Sequence, residues 1–138
     1  MADNKVNFEL VSPERLLMET EVNMVVVPGS EGDFGVLPGH TPMISTIRPG
    51  VVNIYDGGTD AGSVTERIFV AGGFAEVTGE RLTVLAEEAV PVGDIDKAVA
   101  EERIREARAE IDAAENDLDR ETGERHLQAA ETMLASAE

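Results

Sequence analysis

From Val6 to about Ala89 the apolar residues recur at every second position. Val6, Phe8 and Leu10 alternate with Asn7 and Glu9; Val22, Met24 and Val26 alternate around Asn23; Val64, Ile68 and Val70 share a phase against Thr65 and Arg67; Leu82, Val84 and Ala86 alternate around Thr83. Successive side chains of a strand point to opposite faces, so this period predicts strands with one face in a core. Pro28-Gly29, Pro38-Gly39, Pro49-Gly50, Asp56-Gly57-Gly58, Gly72-Gly73 and Thr78-Gly79-Glu80 separate the runs. Each supplies a fixed φ or an easily reached positive φ for a turn. Many short strands with closely spaced turns, and no helical period among them, predict an all-β antiparallel sandwich or barrel over residues 1–90.

After Pro91 and Gly93 the period changes. Ala100, Ile104, Ala107, Ile111, Ala114 and Leu118 are spaced by three and four and line one face of a helix, with Glu101, Glu102, Arg105, Arg108 and Asp112 elsewhere around it. Asp94 is the predicted N-cap, and Asp96 suits the positive end of the helix dipole. Leu127, Ala130 and Leu134 continue the spacing in a second, shorter helix, with the break between Asn116 and Gly123. Residues 91–138 therefore read as an antiparallel α-helical hairpin. Its stripes are narrow and rich in Ala, which permits close approach but buries little area, so the hairpin is expected to be weakly stable alone and detachable.

Composition narrows the function. The chain has 138 residues, no cysteine and a net charge of -17. Lack of cysteine excludes disulfides and thiolate metal sites and is the usual composition of a reducing compartment. The acid is spread over both parts, -9 before Asp94 and -8 from there on. A phosphate backbone is bound by clustered Lys and Arg, so nucleic acid is not an expected partner. No run reaches the ~20 apolar residues of a membrane helix, and Met-Ala-Asp-Asn-Lys lacks the apolar core of a signal peptide. Any membrane attachment is expected through partners.

The constellations that carry chemistry each lack a required residue. His40 and His126 fall in different parts, with no HExxH, so no metal site is predicted. Gly29, Gly32 and Gly35 follow a strand, but no Gly-Lys-Ser/Thr comes after them and no helix follows, so they do not make a P-loop. Asp117, Asp119 and Glu121 with Gly123 resemble a calcium loop, yet Thr122 and Gln128 occupy the places of its glycine and its bidentate Glu; the segment reads as a solvated turn. Ser12, Ser30, Ser45 and Ser63 lack a Gly-x-Ser-x-Gly elbow, and pairs such as Glu87-Glu88 are commonplace in so acidic a chain. No catalytic residue and no cofactor is expected.

One stretch stands out. Ser30-Glu31-Gly32-Asp33-Phe34-Gly35, then Pro38-Gly39-His40-Thr41-Pro42, then Arg48-Pro49-Gly50, forms a shaped loop leading into a strand. The order and spacing resemble the SEG(D/E)xG, PGHxP and (K/R)PG segments of the epsilon subunits of F-type ATP synthases. Val11-Ser12-Pro13-Glu14, Ala71-Gly72-Gly73-Phe74-Ala75-Glu76-Val77 and Leu82-Thr83-Val84-Leu85-Ala86-Glu87-Glu88-Ala89 are similar to further family segments. The resemblance runs from about Val6 to the C-terminus and is least specific in the hairpin.

What it implies is a sandwich of about ten strands followed by two antiparallel helices, in a non-catalytic rotor subunit. That subunit holds the foot of the gamma subunit and rests on the ring of c subunits, coupling proton-driven rotation to the catalytic head. By matching position, Glu31 and Asp33 would meet the polar loops of the c-ring, and Ser12 and His40 would lie near gamma. In some relatives the hairpin binds ATP through (I/L)-D-x-x-R-A. Here the place reads Ile95-Asp96-Lys97-Ala98-Val99-Ala100: Asp96 matches, but Val99 replaces the arginine and can neither pair with phosphate nor stack on a base. No nucleotide site is therefore expected.

In many relatives the hairpin also reaches the alpha/beta head and hinders hydrolysis. The second helix here offers only Arg120, Arg125 and His126 as cationic groups, so regulation is expected to be weak. The implied place is the cytoplasmic face of a bacterial inner membrane, held through gamma and the ring; the plain Met start favours bacteria over an organelle. The alternative is a stand-alone sandwich that binds a ligand or peptide. Aromatic residues at 4% and no Trp give it little with which to line a pocket.

Overall fold

The computed structural model describes residues 5–56 and 64–137. It divides into two compact units, Met1–Pro91 and Val92–Glu138. Among the described residues the first holds eight strands: β1 (Val6–Val11), β2 (Leu16–Val22), β3 (Met24–Gly29), β4 (Gly32–Val36), β5 (Met43–Thr46), β6 (Gly50–Tyr55), β7 (Val64–Thr78) and β8 (Arg81–Pro91). The second holds a short 3-10 turn, Val92–Asp94, and the helices α1 (Lys97–Asp112) and α2 (Asp117–Ser136). Gly57 and Gly58 of the Asp56-Gly57-Gly58 turn, and Ser63, lie outside the described residues.

Eight strands make ten segments because two of them are long. The first half of β8 pairs with β1 in parallel and with the end of β7, while its second half pairs with the start of β7. The start of β7 pairs with β6 and its end with β5. One layer is thus β2-β1-β8-β7-β5 and the other β8-β7-β6-β3-β4, five segments in each. Their inner faces share one core, in which Phe8, Leu10, Leu82, Val84 and Val77 of the first layer meet Val25, Val27, Val52, Ile54 and Ile68 of the second. Each such side chain contributes about 1.5–3 kcal/mol by leaving water.

The fold-over happens at Gly72-Gly73. Upstream the buried positions of β7 are Ile68, Phe69 and Val70; downstream they are Ala75 and Val77, so the inward phase shifts across the two glycines. Both have positive φ, 75° and 101°. A Cβ on Gly73 would run into the carbonyl oxygen of Leu85, and one on Gly72 into the Glu87 carboxylate. The dipeptide is therefore no turn between strands, as its composition suggests, but a bend inside one continuous strand, where only glycine lets the neighbouring backbone approach.

A second correction concerns Val22, Met24 and Val26. β2 ends at Val22 and β3 begins at Met24, and Val22, Val25 and Val27 are the buried residues. Asn23 lies between the strands, its amide donating to the Tyr55 carbonyl at 2.9 Å, and the phase resets there. Val64, assigned to the phase of Ile68 and Val70, is 44% exposed. The Thr78-Gly79-Glu80 turn does form: Thr78 pairs with Arg81 and Gly79 takes φ 60°, the conformation that a two-residue hairpin with glycine first requires.

In the helical unit the caps differ from expectation. Asp94 closes the 3-10 turn; the N-cap of α1 is Asp96, whose carboxylate accepts from the Ala98 amide at 2.9 Å. The break falls at Ala113–Asn116, just before the interval expected, because Asn116 caps α2. Its side-chain oxygen accepts from the Asp119 amide at 2.8 Å and its amide donates to the Asp119 carboxylate at 3.2 Å. The segment Asp117 to Gly123, read as a solvated turn, is the start of α2, with its acids at the positive end of the helix dipole. α2 has 20 residues against 16 in α1, so the second helix is the longer. Leu118 belongs to α2 and is 68% exposed instead of extending the α1 stripe.

Candidate functional site

The segment Ser30 to Gly50 builds one end of the first unit. β3 and β4 pair from Val25↔Val36 to Gly29↔Gly32, leaving Ser30-Glu31 as a two-residue turn. Gly29 permits it, since a Cβ there would stand 2.8 Å from the Gly32 carbonyl and 2.9 Å from the Phe34 ring. The segment leaving β5 holds the turn from the side. The Ser30 amide donates to the Thr46 carbonyl at 2.9 Å, their hydroxyls meet at 2.6 Å, and Gly29 bridges to Ile47. Arg48 donates to the Gly29 carbonyl at 2.6 Å and to Asp33 at 2.5 Å, and its own amide donates to the Pro28 carbonyl at 3.0 Å.

Glu31 is exposed at the tip and makes no hydrogen bond or ion pair among the described residues. Asp33 is half-exposed but engaged by Arg48. Beside them an open groove runs between Ser30–Phe34 and Met43–Thr46, with Ile44 on its rim, 68% exposed. The end of the sandwich thus offers a carboxylate next to an apolar side chain. In the sequence Arg48 stands out only as part of the Arg48-Pro49-Gly50 segment, and Ile44 carries no signal of its own. A basic residue fifteen positions from an acid gives no local sign of pairing; only the β3–β4 and β5–β6 returns bring the two together.

Ser12 and His40 stand on two other turns. Ser12 closes the β1–β2 connection: its hydroxyl accepts from the Glu14 and Arg15 amides at 3.3 and 3.2 Å, and its amide donates to the Arg15 carbonyl at 2.9 Å. That turn is followed by Leu16, 50% exposed. His40 ends a turn over Leu37-Pro38-Gly39, with its amide on the Leu37 carbonyl at 3.1 Å and Gly39 at φ 81°, as Pro then Gly favour. Its Nδ1 donates to the Thr41 carbonyl at 2.7 Å. Among the described residues, no hydrogen bond of Ser12 or His40 reaches Glu31 or Asp33. In the second unit the Asp96 carboxylate is occupied by its cap, and Val99 is exposed one turn along the helix. Among the described residues, no helix is long and apolar enough to cross a membrane.

The described residues thus form a two-layer sandwich with shaped polar turns, followed in the chain by a helical hairpin. The family described as ATP synthase, Delta/Epsilon chain, beta-sandwich domain matches residues 5–92. The chain is 53% identical over 132 residues to the ATP synthase epsilon chain of Paramagnetospirillum magneticum, covering 96% of both chains. It is 51% identical to that of Rhodospirillum centenum over 97% of this chain and 92% of the relative. Its fold is shared, at a TM-score of 0.79 and 24% identity, with a chain of the Euglena gracilis mitochondrial ATP synthase, covering 100% of this chain and 84% of that one. The chain belongs to the ATP synthase epsilon chain family. It is accordingly a non-catalytic stalk subunit, associated with the membrane through its complex.

Proposed function

We propose that the chain is a central-stalk rotor subunit that couples proton-driven rotation of the c-ring to ATP synthesis by the catalytic head. The observation that carries this is the 53% identity to an ATP synthase epsilon chain over 96% of both chains, which favours this role over a stand-alone ligand module. In this role the sandwich holds gamma and rests on the c-ring. Glu31 and Asp33 sit at the ring, Glu31 at the tip of the β3–β4 turn with no ion-pair partner among the described residues. Ser12 and His40 mark the gamma side, each ordering a turn whose neighbours, Leu16 and Leu37, expose apolar surface.

Residues 91–138 act as a weak regulatory element toward the alpha/beta head. Of the cationic groups of α2, Arg120 lies 3.6 Å from Asp117 and His126 is bonded to Glu110 at 2.9 Å, so among the described residues Arg125 alone of the three has no acidic partner. The protein works at the cytoplasmic face of a bacterial inner membrane, held there by gamma and the ring.

The test is capture of gamma and c subunits from the host membrane extract, with Glu31 and Asp33 intact and then both replaced by Ala. Capture of both by the intact chain, and loss of the ring with gamma retained by the replaced one, is the expected result. No capture by the intact chain would overturn the assignment.

A further inference from the structure

The same end of the sandwich assigns unequal parts to its two acids. We infer that Arg48 is a positioning residue and Asp33 its internal partner, so that Asp33 acts on the ring only by fixing the turn and Glu31 alone presents a carboxylate to it. The inference rests on the reading that this turn faces the c-ring.

Gly29 and Asp33 flank the Ser30-Glu31 turn on its two strands, with Pro28 paired to Asp33 and Gly29 to Gly32. The Arg48 guanidinium reaches both sides, donating Nη1 to the Gly29 carbonyl at 2.6 Å and Nη2 to the Asp33 carboxylate at 2.5 Å. A planar fork with donors in fixed directions suits this task, whereas a lysine ammonium is a point charge on a flexible stem. The backbone of the clamp is itself held. The Arg48 amide is bonded to Pro28, Ile47 bridges to Gly29, and the next turn packs so tightly on Pro28 that a Cβ on Gly50 would stand 2.8 Å from the proline Cβ.

Charge agrees with this division. Asp33 is paired with Arg48, while Glu31 has no ion-pair partner among the described residues and lines the same groove as Ile44. A polar loop carrying a cationic or amide donor, flanked by an apolar residue, fits that surface.

The test is a double-mutant cycle in the assembled complex, reading c subunits retained per gamma and ATP-driven proton pumping, for E31Q, D33A, D33N, R48A, R48K and D33A/R48A. E31Q is expected to weaken ring retention. D33A and R48A are each expected to weaken it roughly two- to fivefold, the range of a partly exposed ion pair, with the double variant no worse than the singles. D33N is expected to retain more than D33A, because an amide oxygen still accepts from Arg48, and R48K to fall short of wild type.

Multiplying effects of D33A and R48A, with D33N as poor as D33A, would place Asp33 directly against the ring and overturn the inference while leaving the ring-facing turn intact. Unchanged ring retention in every variant, gamma still bound, would overturn the ring-facing reading and the inference together.

Discussion

Gly123 of α2 packs so closely on Ile111 of α1 that a Cβ on the glycine would stand 2.8 Å from Ile111 Cγ1 and 3.3 Å from its backbone nitrogen. Glycine inside a helix costs about 1 kcal/mol relative to alanine, so its presence mid-helix calls for such a contact. The rest of the seam is also small, with Ala107 and Ala130 buried alongside Met133. Overpacking costs about 1–3 kcal/mol, which cancels or exceeds the propensity gain of an alanine. Gly123→Ala is therefore expected to be near neutral. Gly123→Val, bulkier and a poorer helix former, is expected to lose about 2 kcal/mol of hairpin stability. Helical ellipticity followed through urea unfolding of the two variants checks the order; a stabilised valine variant would show the helices not to meet there.

Gly73 is expected to tolerate even alanine badly. Its φ of 101° is strained for any L-residue, and the added methyl meets the Leu85 carbonyl. Gly73→Ala should cost about 3 kcal/mol or more, read as a lowered urea midpoint for the sandwich. Gly79→Ala, in open space at φ 60°, should cost about 1 kcal/mol.

Glu9 makes a signature in the acid range. The Arg81 guanidinium, at 2.6 Å, holds its carboxyl below the ordinary glutamate value against the cost of burial, with help from the Thr83 hydroxyl at 3.2 Å. Glu19 faces it across β1–β2. A depressed folded-state value means that the carboxylate stabilises the fold above the unfolded value, about 4.3, and that this stabilisation is lost as pH falls through the folded value. Glu9→Gln should lower the urea midpoint at pH 7 and leave it unchanged once pH is well below 4. A difference that persists at the lowest pH would point to packing instead of charge.

Asp96 should matter to the helix and not to nucleotide. Removing its cap, Asp96→Ala, is expected to cost about 1 kcal/mol of hairpin stability, as is Asn116→Ala at the start of α2. Calorimetry with ATP should show no tight binding, since the carboxylate is bonded to the Ala98 amide and Val99 stands where an arginine would be needed. Tight binding lost on Asp96→Ala would defeat this.

Truncation at about Asp94 should change ATP hydrolysis by the assembled enzyme little. α2 carries the acids Asp117, Asp119, Glu121, Glu124 and Glu131 against Arg120 and Arg125, a poor match for an acidic surface. Several-fold activation on truncation would show a strong inhibitor.

Much of this protein is legible along the chain. The period-two stretch from Val6 and the three-four spacing after Gly93 reflect which side chains a single strand or helix can turn to one side, a property of neighbouring residues. The same holds for Pro38-Gly39 and Gly79-Glu80, whose turns follow from local φ preferences. The motif from Ser30 to Gly50 is local too, and it located the end of the sandwich that carries Glu31. At Asn23 one apparent period runs across two strands of different layers, and at Gly72-Gly73 what composition suggests is a turn is a bend inside β7, whose halves lie in different layers; in both places the inward face changes.

By itself, then, the sequence determined a sandwich followed by a helical hairpin, the places of most turns and the kinship with epsilon chains, because each rests on interactions within a few residues or on a linear motif. The tertiary structure decided that Gly72-Gly73 bends one strand through both layers, that Gly123 is a helix contact and not a turn, and that Asp33 is taken by Arg48. Each depends on which distant segments are brought against one another, and that is set by burial of a shared core and not by the residues alongside.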